Sequence, residues 1–406
     1  MNEKSWEKYK RSLNYLAGGS STNSKKPVFE GYEPALIVKG DGCRIWDLDG
    51  NEYIDFRCGL GPVTLGYNIP EINKEIISQL KNGISFSYPH PLEGEVAEKL
   101  TEIIPCAEKV RFLKTGGEAI AACIKIARAF TGRNKIIQCG YNGWLNTLST
   151  GEYLPSGIAR SQPLRGVPFQ ISSLHFSFPW ADIDKWKEFF AKEGSDIAAV
   201  VIASNYEKIE KGKEFLPQIR ELTERYGSLM IMDEIVTGFR LAKGGAHEYF
   251  NFLPDMAVFS KGIANGMPLS AYLGKAELIE LSFEIGISST FGGETLSLAS
   301  AKATIKFYKE RDVISHLWEV GNMFKEGVNN LFKKYEFHAE LKGFGVCPIF
   351  IFKDNALKEK FFTHCNRNGV ALYNVSYVNY SHKKGDIEEA LNRIEKAIKM
   401  VKDENN

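Results

Sequence analysis

Trp6, Tyr9, Leu13 and Leu16 fall three, four and three residues apart, a spacing that predicts an opening amphipathic helix. Gly18-Gly19-Ser20-Ser21 breaks that rhythm, and a loop is expected as far as Pro34. Short runs at 35–38, 44–47 and 52–56, divided by turn residues at Gly40-Asp41-Gly42 and Asp49-Gly50, then predict a hairpin-like antiparallel stretch. From about residue 70 helical and strand patterns alternate. Helices are expected over 95–104, 118–130 and near 217–226, and strands over 109–113, 135–139, 197–203, 228–232, 257–259 and 271–273. These strands are apolar on both faces, which suits a mostly parallel sheet covered by helices in a doubly wound α/β fold. After Ser297 a long helix leads into a C-terminal region. There a turn at Gly343 enters a strand over 348–352, and Ile387, Ala390, Leu391, Ile394, Ala397, Ile398 and Val401 mark a final helix. The expected organisation is an N-terminal segment (1–65) packing with a small C-terminal domain (301–406), around a large domain at 66–300.

Composition narrows the class without naming a chemistry. The 406 residues are 44% apolar and 25% charged, with a formal net charge of +1. So balanced a charge, with no basic run, argues against nucleic acid or an acidic membrane as partner. The odd count of seven Cys, without paired spacing, suits reduced thiols and a cytoplasmic location. The seven His are scattered without metal-ligand spacing, so no metal site is expected. Ile197 to Ala203, the purest apolar run, is far too short to span a bilayer. The charged start Met1-Asn2-Glu3-Lys4 lacks the apolar core of a secretory signal.

The candidate chemistry lies at strand ends. Asp233 directly follows Leu229-Met230-Ile231-Met232, where a poorly solvated acid needs a cationic partner; Arg240 is one option, and Glu234 could equally be the paired acid. Lys261 sits between Ser260 and Gly262 after a second apolar strand. An acid and a lysine at neighbouring strand ends can hold a pyridinium ring and form a Schiff base with its aldehyde, which is pyridoxal-phosphate chemistry. Thr115-Gly116-Gly117-Glu118 has capping-box spacing, and a helix N-terminus with two glycines offers a phosphate seat. Read singly, these are an ordinary capped helix, an exposed loop lysine and a salt-bridged acid; their company is what promotes them. Tyr141 follows a strand ending on the same rim, where its ring could stack on a planar cofactor.

Together these segments resemble the class III aminotransferases of fold type I, most closely the glutamate-1-semialdehyde 2,1-aminomutase branch. The likeness runs from about Leu16 to the Gly343 turn. It is carried by Asp41-Gly42 to Asp55, Gly61-Pro62, the TGGEA at 115–119, Tyr141, the DEIVTGFR at 233–240, Lys261 and Thr290-Phe291-Gly292-Gly293. The resemblance implies a seven-stranded, mostly parallel sheet and pyridoxal 5'-phosphate as cofactor. It makes Lys261 the Schiff-base lysine, Asp233 the partner of the pyridine nitrogen, Tyr141 the stacking ring and Val236 the contact on the other ring face. Gly116 and Gly117 would hold the phosphate with Thr115 beside them. Thr290 would reach the phosphate of a neighbouring subunit, which implies a homodimer with shared active sites. The chain departs from the aminomutase pattern in several places. It has Thr115-Gly116-Gly117 for Ser-Gly-Thr and Tyr141-Asn142-Gly143 for Tyr-His-Gly. Ser204-Asn205-Tyr206 stands for Glu-Pro, and Lys25-Lys26 lies near the position of a missing arginine. Asn142, Trp144, Asn205 and Lys25 are therefore the candidates for an altered substrate pocket.

The expected activity is transfer of an amino group from a small-molecule amino donor to an aldehyde or keto acceptor. Intramolecular transfer of the aminomutase type is the alternative. A nicotinamide-dependent oxidoreductase would carry GxGxxG after its first strand, and none occurs. A non-catalytic cofactor-binding module would have no need to keep both Lys261 and Asp233.

Overall fold

In the computed structural model, which describes residues 3–145, 159–160 and 166–404, the opening helix α1 (Glu3–Ser12) is shorter than its apolar spacing predicts. Trp6 and Tyr9 are buried, but Leu13 and Leu16 are 46% and 39% exposed. The Ser12 hydroxyl donates back to the Tyr9 carbonyl (2.7 Å), a bond that competes with further helix, and Gly18 then turns the chain at φ +67°. An antiparallel meander follows: β1 (Ile37–Asp41), β2 (Arg44–Asp47) and β3 (Glu52–Asp55).

The chain divides into two compact units, Met1–Pro70 with Ser315–Asn406, and Glu71–Ile314. The second unit opens with α2 (Pro70–Leu80) and α3 (Pro91–Ile103), the latter started by His90 with Pro91 in the first turn. It continues with β4 (Lys109–Leu113), α4 (Gly116–Thr131), β5 (Lys135–Cys139), β6 (Ala159–Arg160), α5 (Phe169–Ser172) and β7 (His175–Ser177). Next come α6 (Ile183–Glu193), β8 (Ile197–Ala203), α7 (Gly212–Tyr226), β9 (Leu229–Asp233), α8 (Ala246–Tyr249) and β10 (Met256–Phe259). β11 (Ser270–Gly274), α9 (Ala276–Glu284) and α10 (Thr295–Glu310) complete it. Helix α7 begins five residues before Pro217, which lies inside it. The proline removes one backbone donor near the helix start, and the buried face of Phe215, Leu216, Ile219 and Leu222 outweighs that loss.

Strand order in the large sheet is β4-β11-β10-β9-β8-β5-β7-β6. β10, β9, β8, β5 and β7 pair in parallel, β11 runs antiparallel between β10 and β4, and the two-residue β6 lies antiparallel at the edge. The expected mostly parallel seven-stranded sheet is present, with β6 as an eighth, short strand. Helix α4 lays Ala119, Ile120, Cys123, Ile124 and Ala127 against Ile136, Ala199, Val201, Ile231 and Val258 of the sheet, which forms one apolar core.

The first unit resumes within α11 (Val313–Lys334) and adds β12 (Ala339–Lys342), β13 (Ile349–Phe352), α12 (Asn355–Arg367), β14 (Val370–Ala371) and α13 (Lys384–Asp403). β14 pairs in parallel with β3, which joins the chain's two ends in one four-stranded sheet. On α13, Ile387, Ala390, Ile394, Ala397, Ile398 and Val401 are buried, as their spacing predicts. All seven Cys are unpaired and buried. Among the described residues no helix is long and apolar enough to cross a membrane.

Candidate active site

Because β4, β5, β8, β9 and β10 point the same way, the residues that follow them gather on one rim of the sheet, the usual place for ligands in open α/β folds. After β4 comes the start of α4. The Thr115 hydroxyl accepts from the Glu118 amide (3.4 Å), and Glu118 Oε2 accepts the Thr115 amide (2.8 Å), so the capping box read from the sequence is formed. The Ala119 amide is bonded to the Thr115 carbonyl (3.2 Å). Among the described residues that leaves the Gly116 and Gly117 amides as the open donors at the positive end of the helix. The Ser270 hydroxyl donates to the Thr115 carbonyl (2.9 Å) and ties this corner to β11. A Cβ on Gly116 would lie 2.3 Å from the Ile235 side chain, so the corner packs directly against the loop after β9.

Asp233 ends β9 and is almost fully buried. Its two oxygens each take one donor, Oδ1 from the Ile235 amide (3.1 Å) and Oδ2 from the Asn142 side-chain amide (3.0 Å). Burial pushes its pKa up to about 6, while Asn142, the Ile235 amide and the nearby Lys261 charge pull the other way. Glu234, the other candidate acid, is committed elsewhere. It accepts from the Ala246 and His247 amides (2.7 and 2.9 Å), the Thr237 hydroxyl and His247 Nδ1 (3.0 Å), and so organises the loop into α8.

Lys261 follows β10, next to β9, and starts a short 3-10 turn (Lys261–Ala264). Its φ of +48° is the left-handed region that side chains rarely adopt, and such strain persists only where neighbours enforce it. Two hydroxyls do so here: Ser260 donates to the Leu269 carbonyl and Ser300 of α10 to the Ala264 carbonyl, both at 2.8 Å. Burial lowers the Lys261 pKa to about 8, against an upward pull from Asp233 and with a further downward push from Arg240. Lys261 makes no hydrogen bond or salt bridge among the described residues. The strand ends thus bring a buried acid and an enclosed amine together, beside two open glycine amides.

The segment after β5 is built on Gly140. Its φ is +78°, and a Cβ there would lie 2.7 Å from the Ala203 carbonyl oxygen. This turn throws Tyr141 and Trp144 outward, 62% and 78% exposed, and sends Asn142 inward to 1%. Replacing Gly140 with alanine should therefore cost about 1–3 kcal/mol of stability. Urea unfolding measures it, and a loss below about 0.5 kcal/mol would mean that the turn relaxes freely.

Asn142, expected in the substrate pocket, instead spends its amide nitrogen on Asp233. Asn205, another substrate candidate, turns its side-chain oxygen to the Glu207 and Lys208 amides (both 3.0 Å) and closes its own loop. Lys25 is in the first unit, where it lines a cavity of about 390 Å³ with Ser20, Arg57 and Tyr67. Val236 is half-buried three residues after the acid that bonds Asn142, and Thr290 is exposed in the turn before α10. The Ile235 amide and the supporting Ser270 and Ser300 were not singled out from the sequence. Nothing local marks a serine as the brace of a distant loop.

A family profile described as aminotransferase class-III matches residues 28–398 of the chain. The chain belongs to the class-III aminotransferase family. Its relatives include a glutamate-1-semialdehyde 2,1-aminomutase of Persephonella marina, 33% identical over 427 residues that cover 98% of this chain and 99% of that one. A second, glutamate-1-semialdehyde 2,1-aminomutase 2 of Lachnoclostridium phytofermentans, is 31% identical over 98% of this chain and 99% of its own. Among solved structures, a transaminase with PLP bound superposes with a TM-score of 0.90 at 24% identity, over 99% of this chain and 98% of that one. A β-phenylalanine aminotransferase of Variovorax paradoxus gives a TM-score of 0.85 at 24% identity, over 98% and 94%. At such identities the structural likeness speaks for the fold, which is that of the class-III aminotransferases.

Proposed function

We propose that this class-III aminotransferase is a pyridoxal-phosphate-dependent transaminase that moves an amino group from a small-molecule amino donor to an aldehyde or keto acceptor. The observation that carries the proposal is the buried Asp233 beside the enclosed Lys261, with the open Gly116 and Gly117 amides on the same rim. These residues fit the cofactor at both ends. The two amides at the α4 N-terminus suit a phosphate that a side chain would otherwise obstruct. The Asp233 carboxylate, with one donor on each oxygen, keeps lone pairs for a ring N–H. Tyr141 and the half-buried Val236 are the candidates for the two ring faces, and Thr115 would stand beside the phosphate. The exposed Thr290 suits a role across a homodimer interface. Seven buried, unpaired thiols suit a cytoplasmic enzyme.

When bound, the cofactor supplies an aldehyde that a primary amine can join and a ring that withdraws electrons from the carbon beside that amine. Asp233 would hold the ring nitrogen protonated. Lys261 Nζ would anchor the aldehyde and, once released as a free amine, would be the base that takes a proton from the donor's amine-bearing carbon. An amine with a pKa near 8 is largely neutral in mildly alkaline solution, whereas an ordinary lysine is not. The rate at which apoprotein combines with pyridoxal phosphate should therefore rise with pH and level off above a midpoint near 8. Stopped-flow absorbance from about pH 6 to about pH 10 follows it, and a midpoint near the lysine value of about 10.4 would contradict an enclosed Lys261.

The deciding experiment is the visible spectrum of purified protein before and after borohydride, with peptide mapping of the reduced adduct. Yellow colour that bleaches, with the label on Lys261, is the expected result; colourless protein that takes up no pyridoxal phosphate overturns the proposal. An intramolecular aminomutase is the second reading, favoured by the names of the relatives at 31–33% identity. Turnover of a donor with a separate keto acceptor selects transamination, and isomerisation of one amino aldehyde without exchange into free acceptor selects the aminomutase.

A further inference from the structure

We propose that Asn142 is a positioning residue for Asp233: its amide aims the carboxylate at the ring nitrogen and holds it ionised, and it does so independently of pH. The inference rests on the pyridoxal-phosphate reading given above. Three observations carry it. First, the Gly140 turn buries this one polar side chain while its neighbours Tyr141 and Trp144 face solvent. Secondly, Asn142 Nδ2 lies 3.0 Å from Asp233 Oδ2. A carboxylate only accepts, so the nitrogen must be the atom that faces it. Thirdly, that orientation leaves Asn142 Oδ1 buried without a hydrogen-bond partner among the described residues. An unmet buried carbonyl is costly, and a side chain selected for stability alone would not leave one.

The other groups facing Asp233 do not substitute for Asn142. Lys261 stands on the β10 side and is to be consumed as the anchor, while Arg240 acts on Lys261. Glu234, next in the chain, opposes the Asp233 charge and is engaged by the loop into α8. Cys123 of α4 is a buried thiol that the Asp233 charge pushes further toward neutrality. Among the described residues only the Ile235 amide and Asn142 hydrogen-bond the carboxylate, and of these only Asn142 is a side chain. An amide has no proton to gain or lose near neutrality, so Asp233 keeps its partner across the working range. An imidazole here would change charge as its own proton left.

The test uses apoprotein and pyridoxal 5'-phosphate, with the apparent dissociation constant measured by absorbance and tryptophan quenching at several pH values. The quantity read is the variant-to-wild-type ratio, in which the titration of Lys261 cancels. For Asn142→Ala the ratio should be roughly tenfold near pH 6.5 and shrink toward one near pH 8, because Asp233 then binds a proton more readily and loses its hold on the ring. Asn142→His, which keeps a donor, should restore binding but add an inflection near the imidazole pKa. A ratio of one at every pH overturns the proposal, as does a loss equal at every pH, the mark of a merely structural role. Wild-type apoprotein that binds no pyridoxal 5'-phosphate overturns both this proposal and the reading beneath it, whereas normal wild-type binding with either of the other outcomes removes the Asn142 role alone.

Discussion

Lys261→Ala should slow transamination by on the order of 10⁴-fold and abolish the borohydride-fixed adduct, while the protein still folds and still takes up pyridoxal phosphate without a covalent link. Two functions disappear together, the anchor and the proton carrier at Nζ. Lys261→Arg should fare little better, because a guanidinium stays protonated and cannot join an aldehyde. Stability gives an independent check. The folded pKa of about 8 lies below the ordinary 10.5, so folding opposes the protonated form. The resulting cost is fully present below about pH 8 and fades as pH rises toward 10.5. At 1.4 kcal/mol per unit it reaches roughly 3 kcal/mol, less the packing lost with the lysine stem. Lys261→Ala apoprotein should therefore melt several degrees higher than wild type at neutral pH, in differential scanning calorimetry. A variant that turns over normally, or a reduced adduct on another lysine, would remove Lys261 from the mechanism.

The strands with the strongest local signal were legible from residue patterns. Lys109–Leu113, Lys135–Cys139 and Ile197–Ala203 have the expected bounds; the last two are buried apolar runs, and Lys109–Leu113 is closed by the turn into Thr115. The capping box at Thr115 and Glu118 was legible for the same reason, since both partners lie within one turn of chain. Signals that depend on distant chain were not. Leu13 and Leu16 kept the helical spacing, yet the Ser12 hydroxyl and Gly18 turned the chain before they could be buried. Pro217 looked like a helix start and lies inside α7, because tertiary burial of Phe215 and Leu216 extends the helix upstream. Helix α3 begins at Pro91, four residues before the expected start at 95, because His90 caps it and Pro91 suits its first turn.

The site shows the same division. Asp233 and Lys261 could be picked out as chemistry at strand ends, but their proximity depends on β9 and β10 being neighbours in parallel register. The choice between Asp233 and Glu234 was open in the sequence, since adjacent residues of a strand end point to opposite sides. Loop closure around α8 claims the glutamate, which leaves the aspartate facing the rim. Asn142 stands out in the sequence only as a change in the expected substrate pocket. Its contact with Asp233 spans 91 residues of sequence and crosses the end of β8, so no local rule could find it. Gly140 was the available hint, because a glycine between a strand and an aromatic–asparagine pair allows one side chain out and the next one in.

Asp233→Ala should retain part of the cofactor through the Gly116 and Gly117 amides and Lys261, yet lose turnover by on the order of 10³-fold or more. With no anion beside it, a ring nitrogen releases its proton, and the ring then draws little charge from the reacting carbon. Asp233→Asn separates charge from shape. It keeps the volume and one accepting oxygen but carries no negative charge, and it should be nearly as slow. The sign on stability runs opposite to that on activity. Burial raises the folded pKa to about 6 from the ordinary 3.8, so the ionised acid costs the apoprotein stability. That cost is absent below about pH 3.8, grows between the two values and is complete above about pH 6, where it amounts to roughly 3 kcal/mol. Asp233→Asn apoprotein should then melt above wild type at pH 7 and approach it near pH 4. Pyridoxal phosphate should reverse the order at pH 7, because it meets a matching charge only in the wild type. Calorimetry of both proteins, with and without the cofactor, reads all four melting temperatures. An Asn variant that gains as much stability from the cofactor as wild type would show that Asp233 is not the partner of the ring nitrogen.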